Sequence, residues 1–413
     1  MKKLLICSMF ALYGIAASAQ DKVVKAEVYG FVRNYFTYDS RSCVQSNEGL
    51  FNMLPNDVSY GANHEDLNEI PSVRFLSMTT RLGFNVTGPE IFGAKSTAKI
   101  ESDFCGASSS TAFNLRIRQA YTKLAWKHSD LLVGQAWHPM SGDLMPEVFS
   151  LATGAPFNPF NRSPQVRYNY SPIKALSFTA AALYQYQYGS VGLDGKTSNT
   201  YSRNALIPEL FVGMTAKSEH LTGGFGVNAS TIAPRVIVNN MRIDERLTSY
   251  SAMVFGSLKV DYLSVRAKAV YGQNTSHMQQ PTGFGIVGTS DNGVNNYESM
   301  QLGSAWVTMM YGKKLRYGFF AGWLKNYGSA GEKFESLVVR NNTGMDQAYR
   351  FSPIVTYKVQ NMQIGLEYEH TSAAYGEYFV HQNDYPRQVT NGTVTNTHWV
   401  ANNRVCVMMK YDF

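Results

Sequence analysis

Val405-Cys406-Val407-Met408-Met409-Lys410-Tyr411-Asp412-Phe413 ends the chain. Alternate residues fall into two sets: Val405, Val407, Met409, Tyr411 and Phe413 against Cys406, Met408, Lys410 and Asp412. A period of two with one apolar face is a β-strand with two unlike surroundings. The same pattern recurs upstream. Residues 176–188 set Leu176, Phe178, Ala180, Ala182 and Tyr184 against Ser177, Thr179, Ala181 and Gln185. Residues 262–271 set Val265, Ala267, Ala269 and Tyr271 against Ser264, Arg266 and Lys268.

Sixteen such stretches are expected: 25–38, 72–86, 94–104, 113–127, 130–138, 164–170, 175–188, 205–217, 221–231, 246–260, 262–275, 298–312, 315–326, 346–359, 361–373 and 398–413. Their connections alternate between short and long, with seven short turns and eight long loops. A soluble sandwich has no reason to alternate so strictly. A membrane barrel does, because its turns lie on the periplasmic side and its loops outside. The expected fold is therefore all-β: a sixteen-stranded antiparallel transmembrane barrel, its apolar faces toward lipid.

Composition agrees. Charged residues make up 16% of the chain, against about 25% in a typical soluble domain. Aromatics make up 13%, which excludes a disordered chain. Four cysteines in 413 residues exclude a disulfide scaffold. The one long apolar run, 4–19, follows Lys2 and Lys3 and ends in Ala17-Ser18-Ala19, which reads as a secretory signal peptide over 1–19. Residues 20–413 are left for the barrel, and no run of twenty apolar residues remains for a spanning helix. Backbone groups are instead satisfied by closing the sheet. Sixteen strands enclose an open lumen. Tyr184, Tyr186 and Tyr188 are expected at an aromatic girdle. Cys43 and Cys105 fall in loops on the same side, so a disulfide between them and two free thiols are both open readings.

The connection between the fifth and sixth strands is unusual. Residues 137–170 read WHPMSGDLMPEVFSLATGAPFNPFNRSPQVRYNY. Leu144, Val148, Phe149, Leu151 and Phe157 are too apolar to hang in water, so the loop over 139–163 is expected to fold inward and narrow the lumen. Sixteen strands with an inward third loop resemble the general porins of Gram-negative bacteria. Val133-Gly134-Gln135-Ala136-Trp137, the segment Arg162 to Tyr168 and the opening Val28-Tyr29-Gly30-Phe31-Val32 look similar to DcaP-like porins. The chain departs from that family in one respect: only Gln20 to Lys25 precede the first strand, so the family's N-terminal periplasmic helix is not evident.

The resemblance implies a passive, water-filled homotrimer in the bacterial outer membrane, in contact with lipid and lipopolysaccharide and inserted by the barrel-assembly machinery. The terminal aromatics Tyr411 and Phe413 resemble the assembly signal of such barrels. It also implies acidic loop residues facing a basic wall, and Asp143 and Glu147 supply the acids. By alternation Arg81, Arg116, Arg118, Arg167, Arg266, Lys268, Arg350 and Arg404 line the pore, with Lys99, Lys217, Lys358 and Lys410. The inward acids are half as many: Glu101, Asp103, Glu209, Glu367, Glu369 and Asp412. Facing lipid near the midplane would cost an Arg or Lys about 2–4 kcal/mol, which is why alternation is trusted here. A cationic lining concentrates anions, so small hydrophilic anions are the expected solutes.

Enzyme chemistry is not indicated. No His-x-x-x-His, Cys-x-x-Cys or Gly-x-Ser-x-Gly occurs, so no catalytic residues, metal or cofactor are expected, and no nucleic-acid partner either. Glu367 and Glu369 share a face roughly 6.5–7 Å apart, but a solvated wall explains them better than an acid/base pair. Two other readings use the same frame. One is a substrate-specific anion or sugar channel, the latter through Phe157, Phe160, Tyr168 and Tyr170. The other is a non-conducting structural or adhesive barrel.

Overall fold

The structure, a computed structural model, describes residues 24–106, 112–142, 144–331, 333–342, 344–380 and 389–413; the expected signal peptide and Asp143 lie outside them. Seventeen strand segments form one sheet that closes on itself. Ser72–Leu76 and Arg81–Ile91 both pair with the first strand and continue each other across a break, so the wall has sixteen strands. They are β1 (Lys25–Asp39), β2 (Ser72–Leu76 with Arg81–Ile91), β3 (Ala94–Cys105), β4 (Ala112–Ala125), β5 (Ser129–Trp137), β6 (Arg162–Ile173), β7 (Leu176–Leu183) and β8 (Glu209–Lys217). The second half is β9 (Leu221–Ile232), β10 (Leu247–Val260), β11 (Leu263–Gln273), β12 (Gln301–Gly312), β13 (Leu315–Gly328), β14 (Met345–Val359), β15 (Met362–Val380) and β16 (Val389–Asp412). Every neighbouring pair is antiparallel, and β16 returns to β1 with Phe31 opposite Asp412 and Asp39 opposite Arg404.

Closure runs to the last residue. Gly30 N–H donates to the Phe413 carbonyl and Phe413 N–H to the Gly30 carbonyl, both at 3.0 Å. A Cβ on Gly30 would lie 2.3 Å from the Arg81 carbonyl oxygen and 2.7 Å from the Phe413 ring, so only glycine fits the seam. The short turns use the left-handed region. Phe92 (φ 52°) and Gly93 (φ 73°) join β2 to β3, as a tight hairpin matched to strand twist requires.

The alternation holds around the wall. Val28, Val32 and Phe36 of β1, and Val407, Met409 and Tyr411 of β16, are exposed on the outside, while Tyr35, Cys406 and Met408 are buried inside. Several boundaries differ from expectation. Strand β7 stops at Leu183, after which Gln185 turns in to accept the Ser190 N–H. Tyr184 and Tyr186 stay outside, but Tyr188 turns toward Arg162 and Phe160. A short helix, Thr200–Ala205, precedes β8. The β15–β16 hairpin reaches Val380 and restarts at Val389, beyond the expected 373 and 398.

The hydrophobic core lies in the lumen. Phe149, Leu151, Phe157 and Phe160 of the third loop pack against inward-facing Tyr35, Trp306, Met310, Phe320 and Met408. A second loop joins them: a hairpin of Cys43–Ser46 and Phe51–Pro55 places Leu50, Phe51, Met53 and Leu54 in the same cluster. The open lumen expected from the strand count is thus partly filled by two apolar loops, because neither can leave its aliphatic side chains in water. Cys43 and Cys105 are not bridged: both are free and buried, with Sγ contacts to the carbonyls of Arg41 and Met78.

Candidate functional site

An inward loop brings its own backbone polar groups into the barrel, and each needs a partner. The inner wall supplies them. Lys268 Nζ donates to the carbonyls of Met140 (2.9 Å) and Ser141 (3.2 Å). Arg266 donates to the Met145 carbonyl and, with Arg316, clamps Glu147 at 3.1 and 2.9 Å. The Phe149 N–H donates to Glu367, and the Tyr35 hydroxyl to the Phe149 carbonyl, both at 2.7 Å. Trp306 Nε1 donates to Asn158 at 3.0 Å. The third loop is thereby fixed from β11 round to β1.

Arg350 holds both loops at once. It donates to the carbonyls of Ala155 in the third loop and of Asn52 and Met53 in the hairpin, and to Thr371 on β15. Arg404 donates to the Gly49 carbonyl, and the Tyr375 hydroxyl to the Pro55 carbonyl, both at 2.7 Å. Lys268, Arg350 and Arg404 lie on the inner face that alternation assigns, but all three are 4% exposed or less. They anchor loops instead of meeting water.

The opposite wall carries a different cluster. Arg118 bridges Glu101 (2.9 Å) and Asp103 (2.7 Å), while Arg116 forms a two-pronged pair with Asp103 at 2.9 and 2.8 Å. Arg81 and Lys99 approach Glu101 at 3.5 and 4.0 Å and keep more water contact. Arg167 donates to Gln165 and to the Trp137 carbonyl. Strands β2, β3 and β4 therefore bring Arg81, Arg116 and Arg118 together around Glu101 and Asp103, apart from Arg266, Lys268, Arg350 and Arg404 on β11, β14 and β16.

Two vestibules flank the loops. Toward the turn side, a cavity of about 180 Å³ is lined by Arg33, Glu147, Arg316, Gln363 and Lys410. Toward the loop side, one of about 220 Å³ is lined by Arg116, Gln187, Tyr188, Gln279 and Arg340. Arg162 sits beside it, fully buried between the rings of Trp137, Phe160 and Tyr188. Arg33, Arg162 and Arg340 have no carboxylate partner among the described residues. Burial opposes ionisation of Glu147, but the Arg316 hydrogen bond and the charges of Arg266 and Arg316 outweigh it and hold this carboxyl below the usual value. Burial lowers the Arg340 guanidinium to about 10, which leaves it charged at neutral pH. Arg33, Arg316 and Arg340 were not among the expected lining residues, although alternation in β1 and β13 places the first two.

His138, Glu209 and His277 form a buried group at the start of the third loop. Both imidazole Nε2 atoms contact Glu209 Oε1, at 3.1 and 3.0 Å, and Asn228 Nδ2 donates to the same oxygen at 2.7 Å. The residue types suit a metal, but the protons do not. His138 Nδ1 already accepts the Met140 N–H, so its proton is on Nε2 and points at Glu209. A metal ligand at Nε2 needs the other tautomer. The group is a latch that ties the third loop and the 275–278 turn to β8.

No protein-family model matches the chain, and no curated protein matches it. Solved structures do. The outer membrane channel DcaP of Acinetobacter baumannii superposes with a TM-score of 0.70 at 21% identity, over 94% of this chain and 97% of that one. An anion-selective porin from Comamonas acidovorans gives 0.56 at 10% identity, over 95% and 100%. OmpT of Vibrio cholerae gives 0.52 at 11% identity, over 96% and 99%. The resemblance noted in the sequence is therefore a structural one: the chain has the closed sixteen-stranded barrel of the porin fold.

Proposed function

We propose that this chain is a passive diffusion channel of the bacterial outer membrane for small hydrophilic solutes, with a preference for anions. The observation that carries the reading is the third loop, clamped inside a closed barrel between two charged vestibules. A barrel built only to be displayed has no need of a charged internal constriction. The preference for anions is supported by Arg33 and Arg340, which lack carboxylate partners among the described residues, and by Arg81 and Lys99, which crowd one glutamate. It is weaker than a count of inward charges suggests, because Arg118, Arg350 and Arg404 are spent on ion pairs and carbonyls. A leader over 1–19, a homotrimeric assembly, contact with lipopolysaccharide, and recognition of Tyr411 and Phe413 by the assembly machinery belong to this reading.

A second reading has one observation in its favour. The Cys43–Pro55 hairpin narrows the lumen further, as a substrate-specific channel would require. Single-channel recording of the purified protein under a KCl gradient tests both. Steady ohmic openings with a chloride-favouring reversal potential are expected. Correctly folded protein that passes no ions overturns the diffusion reading, and current blocked by one solute class moves it to the substrate-specific one.

A further inference from the structure

The two vestibules differ in what lines them. The turn-side wall includes the carboxylate of Glu147 and the aliphatic side chains of Val148, Met310 and Ile354. The loop-side wall, around about 220 Å³, has neither a carboxylate nor an aliphatic side chain among its described residues. It offers cations, amides, hydroxyls and aromatic rings instead. One part of it is fixed by its own hydrogen bonds. Ser190–Val191 pairs with Thr197–Ser198 in a two-stranded ladder, and Gln185 accepts the Ser190 N–H at 2.8 Å. A Cβ on Gly189 would lie 2.3 Å from the Ser198 carbonyl carbon, so the two segments approach with no room for a side chain between them. Thr197, Ser198 and Asn199 are thereby held against the cavity.

Three guanidinium groups converge on one phenol at this wall. Arg162 donates to the Tyr188 hydroxyl through Nη2 and to Gln187 Oε1 through Nε, both at 3.0 Å. The same hydroxyl lies within electrostatic reach of Arg116 and Arg340. Arg162 is fully buried, so it only fixes Gln187 and Tyr188 in place. Arg116 and Arg340 line the cavity themselves. Arg116 gives Nε and Nη2 to Asp103. Arg340 gives Nη1 to the Ser276 carbonyl (3.2 Å) and Nη2 to Gln279 Oε1 (2.7 Å). A guanidinium carries five N–H groups, so each of the two keeps donors for a ligand. Gln187 and Gln279 have their oxygens engaged by arginines, which leaves their amide N–H groups to donate. Gln279 lines the cavity, and its buried Nε2 has no partner among the described residues.

We propose that the loop-side vestibule is a binding site for a sugar acid, a single sugar ring that carries a carboxylate. The carboxylate is taken by Arg116 and Arg340, the hydroxyls by Gln187, Ser198 and Asn199, and the face of the ring by Tyr188. The inference deepens the diffusion reading and rests on it, since a solute must be admitted to the vestibule. At ~30 Å³ per water the cavity holds roughly seven waters, the space of one sugar ring and not two. A sugar hydroxyl both donates and accepts, as do the amides and hydroxyls of this wall. A simple dicarboxylate only accepts, so it would desolvate the oxygens of Ser198 and Asn199 and give them no donor. An uncharged sugar would satisfy the amides but leave the two arginines without the planar, bidentate partner that a carboxylate supplies.

Saturation-transfer NMR of the full-length folded protein in detergent, titrated with glucuronate, glucose or succinate, tests the assignment. Glucuronate is expected to bind about tenfold more tightly than either of the others, because each lacks one half of the match. Arg340→Gln should lower glucuronate affinity roughly tenfold, to the level of glucose, and leave glucose unchanged. Thr197→Val with Asn199→Ala should weaken both sugars about threefold and leave succinate unchanged. Heat-modifiable electrophoretic mobility shows that each variant has folded, and the second variant decides if Arg340→Gln does not fold. Succinate or glucose binding as tightly as glucuronate overturns the proposal. So does full glucuronate affinity in the folded variants. Binding is read without current, which separates this inference from the reading it rests on. A protein that conducts but shows no preference for glucuronate overturns the sugar-acid site alone, whereas one that binds glucuronate and passes no ions overturns the diffusion reading and upholds the site.

Discussion

Glu147→Gln removes one negative charge from the third loop where Arg266 and Arg316 hold it, at 3.1 and 2.9 Å. The carboxylate lines the turn-side cavity with Arg33 and Lys410, so an ion crossing there feels the change. At ~7 Å through water, one unit charge is worth about 0.6 kcal/mol, which screening at 0.1 M salt roughly halves. Chloride then gains about 0.3 kcal/mol and potassium loses as much, so the permeability ratio should move about threefold toward chloride. Under an approximately tenfold KCl gradient this shifts the reversal potential by roughly 20 mV in the anion-favouring direction. Asp244→Asn, on an exposed external loop, serves as the control and should leave the potential unchanged. A folded Glu147→Gln channel whose reversal potential stays within a few millivolts of wild type would refute the placement of Glu147 on the conduction path.

Further outcomes follow from the same contacts. Glu147 has its carboxyl held below the usual value, so reversal potential should be flat from pH 7 to about pH 5 and move toward chloride only as pH falls through that lowered value. By the same sign, the clamp's contribution to stability is present above the ordinary glutamate value and is lost as acid protonates the folded carboxyl; chemical denaturation at a series of pH values reads this. Glu209→Ala strands His138, His277 and Asn228 without their shared acceptor, costing about 3 kcal/mol of stability, and should add open-channel noise as the third loop loosens. Unchanged noise would mean that the other loop contacts suffice. Gly30→Leu meets the Arg81 carbonyl and the Phe413 ring and should prevent closure, seen as loss of heat-modifiable mobility on electrophoresis.

How far the sequence carried the fold depends on what alternation measures. A period of two reports which of two environments a side chain enters, and the two environments here are lipid and not-lipid. Leu366, Tyr368 and Met409 are outside, and Glu367, Glu369 and Met408 inside, as the pattern requires. Alternation cannot say whether not-lipid means water or protein. Lys268, Arg350 and Arg404 share their faces with Arg266, yet only Arg266 keeps substantial water contact. What decides is the path of two loops whose contacts lie far away in sequence, as between Arg350 and the carbonyls of Met53 and Ala155.

The apolar content of the third loop did signal that it must pack. The corollary, that its carbonyls would then need donors from the wall, points to the inward cations as the available ones. That coupling links stability to selectivity in this barrel. Each cation that anchors a loop is withdrawn from the solvated lining, so the charge an ion meets is set by those the loops leave over. Arg81 and Lys99 on one wall, Arg33 and Arg316 in the turn-side vestibule, and Arg266 beside Glu147 are among the cations that keep water contact. Arg350→Met should therefore lower stability without moving reversal potential, whereas Lys99→Met should move the potential toward potassium at little cost in stability. If Arg350→Met shifts the potential as much as Lys99→Met does, the separation of anchoring from lining cations fails.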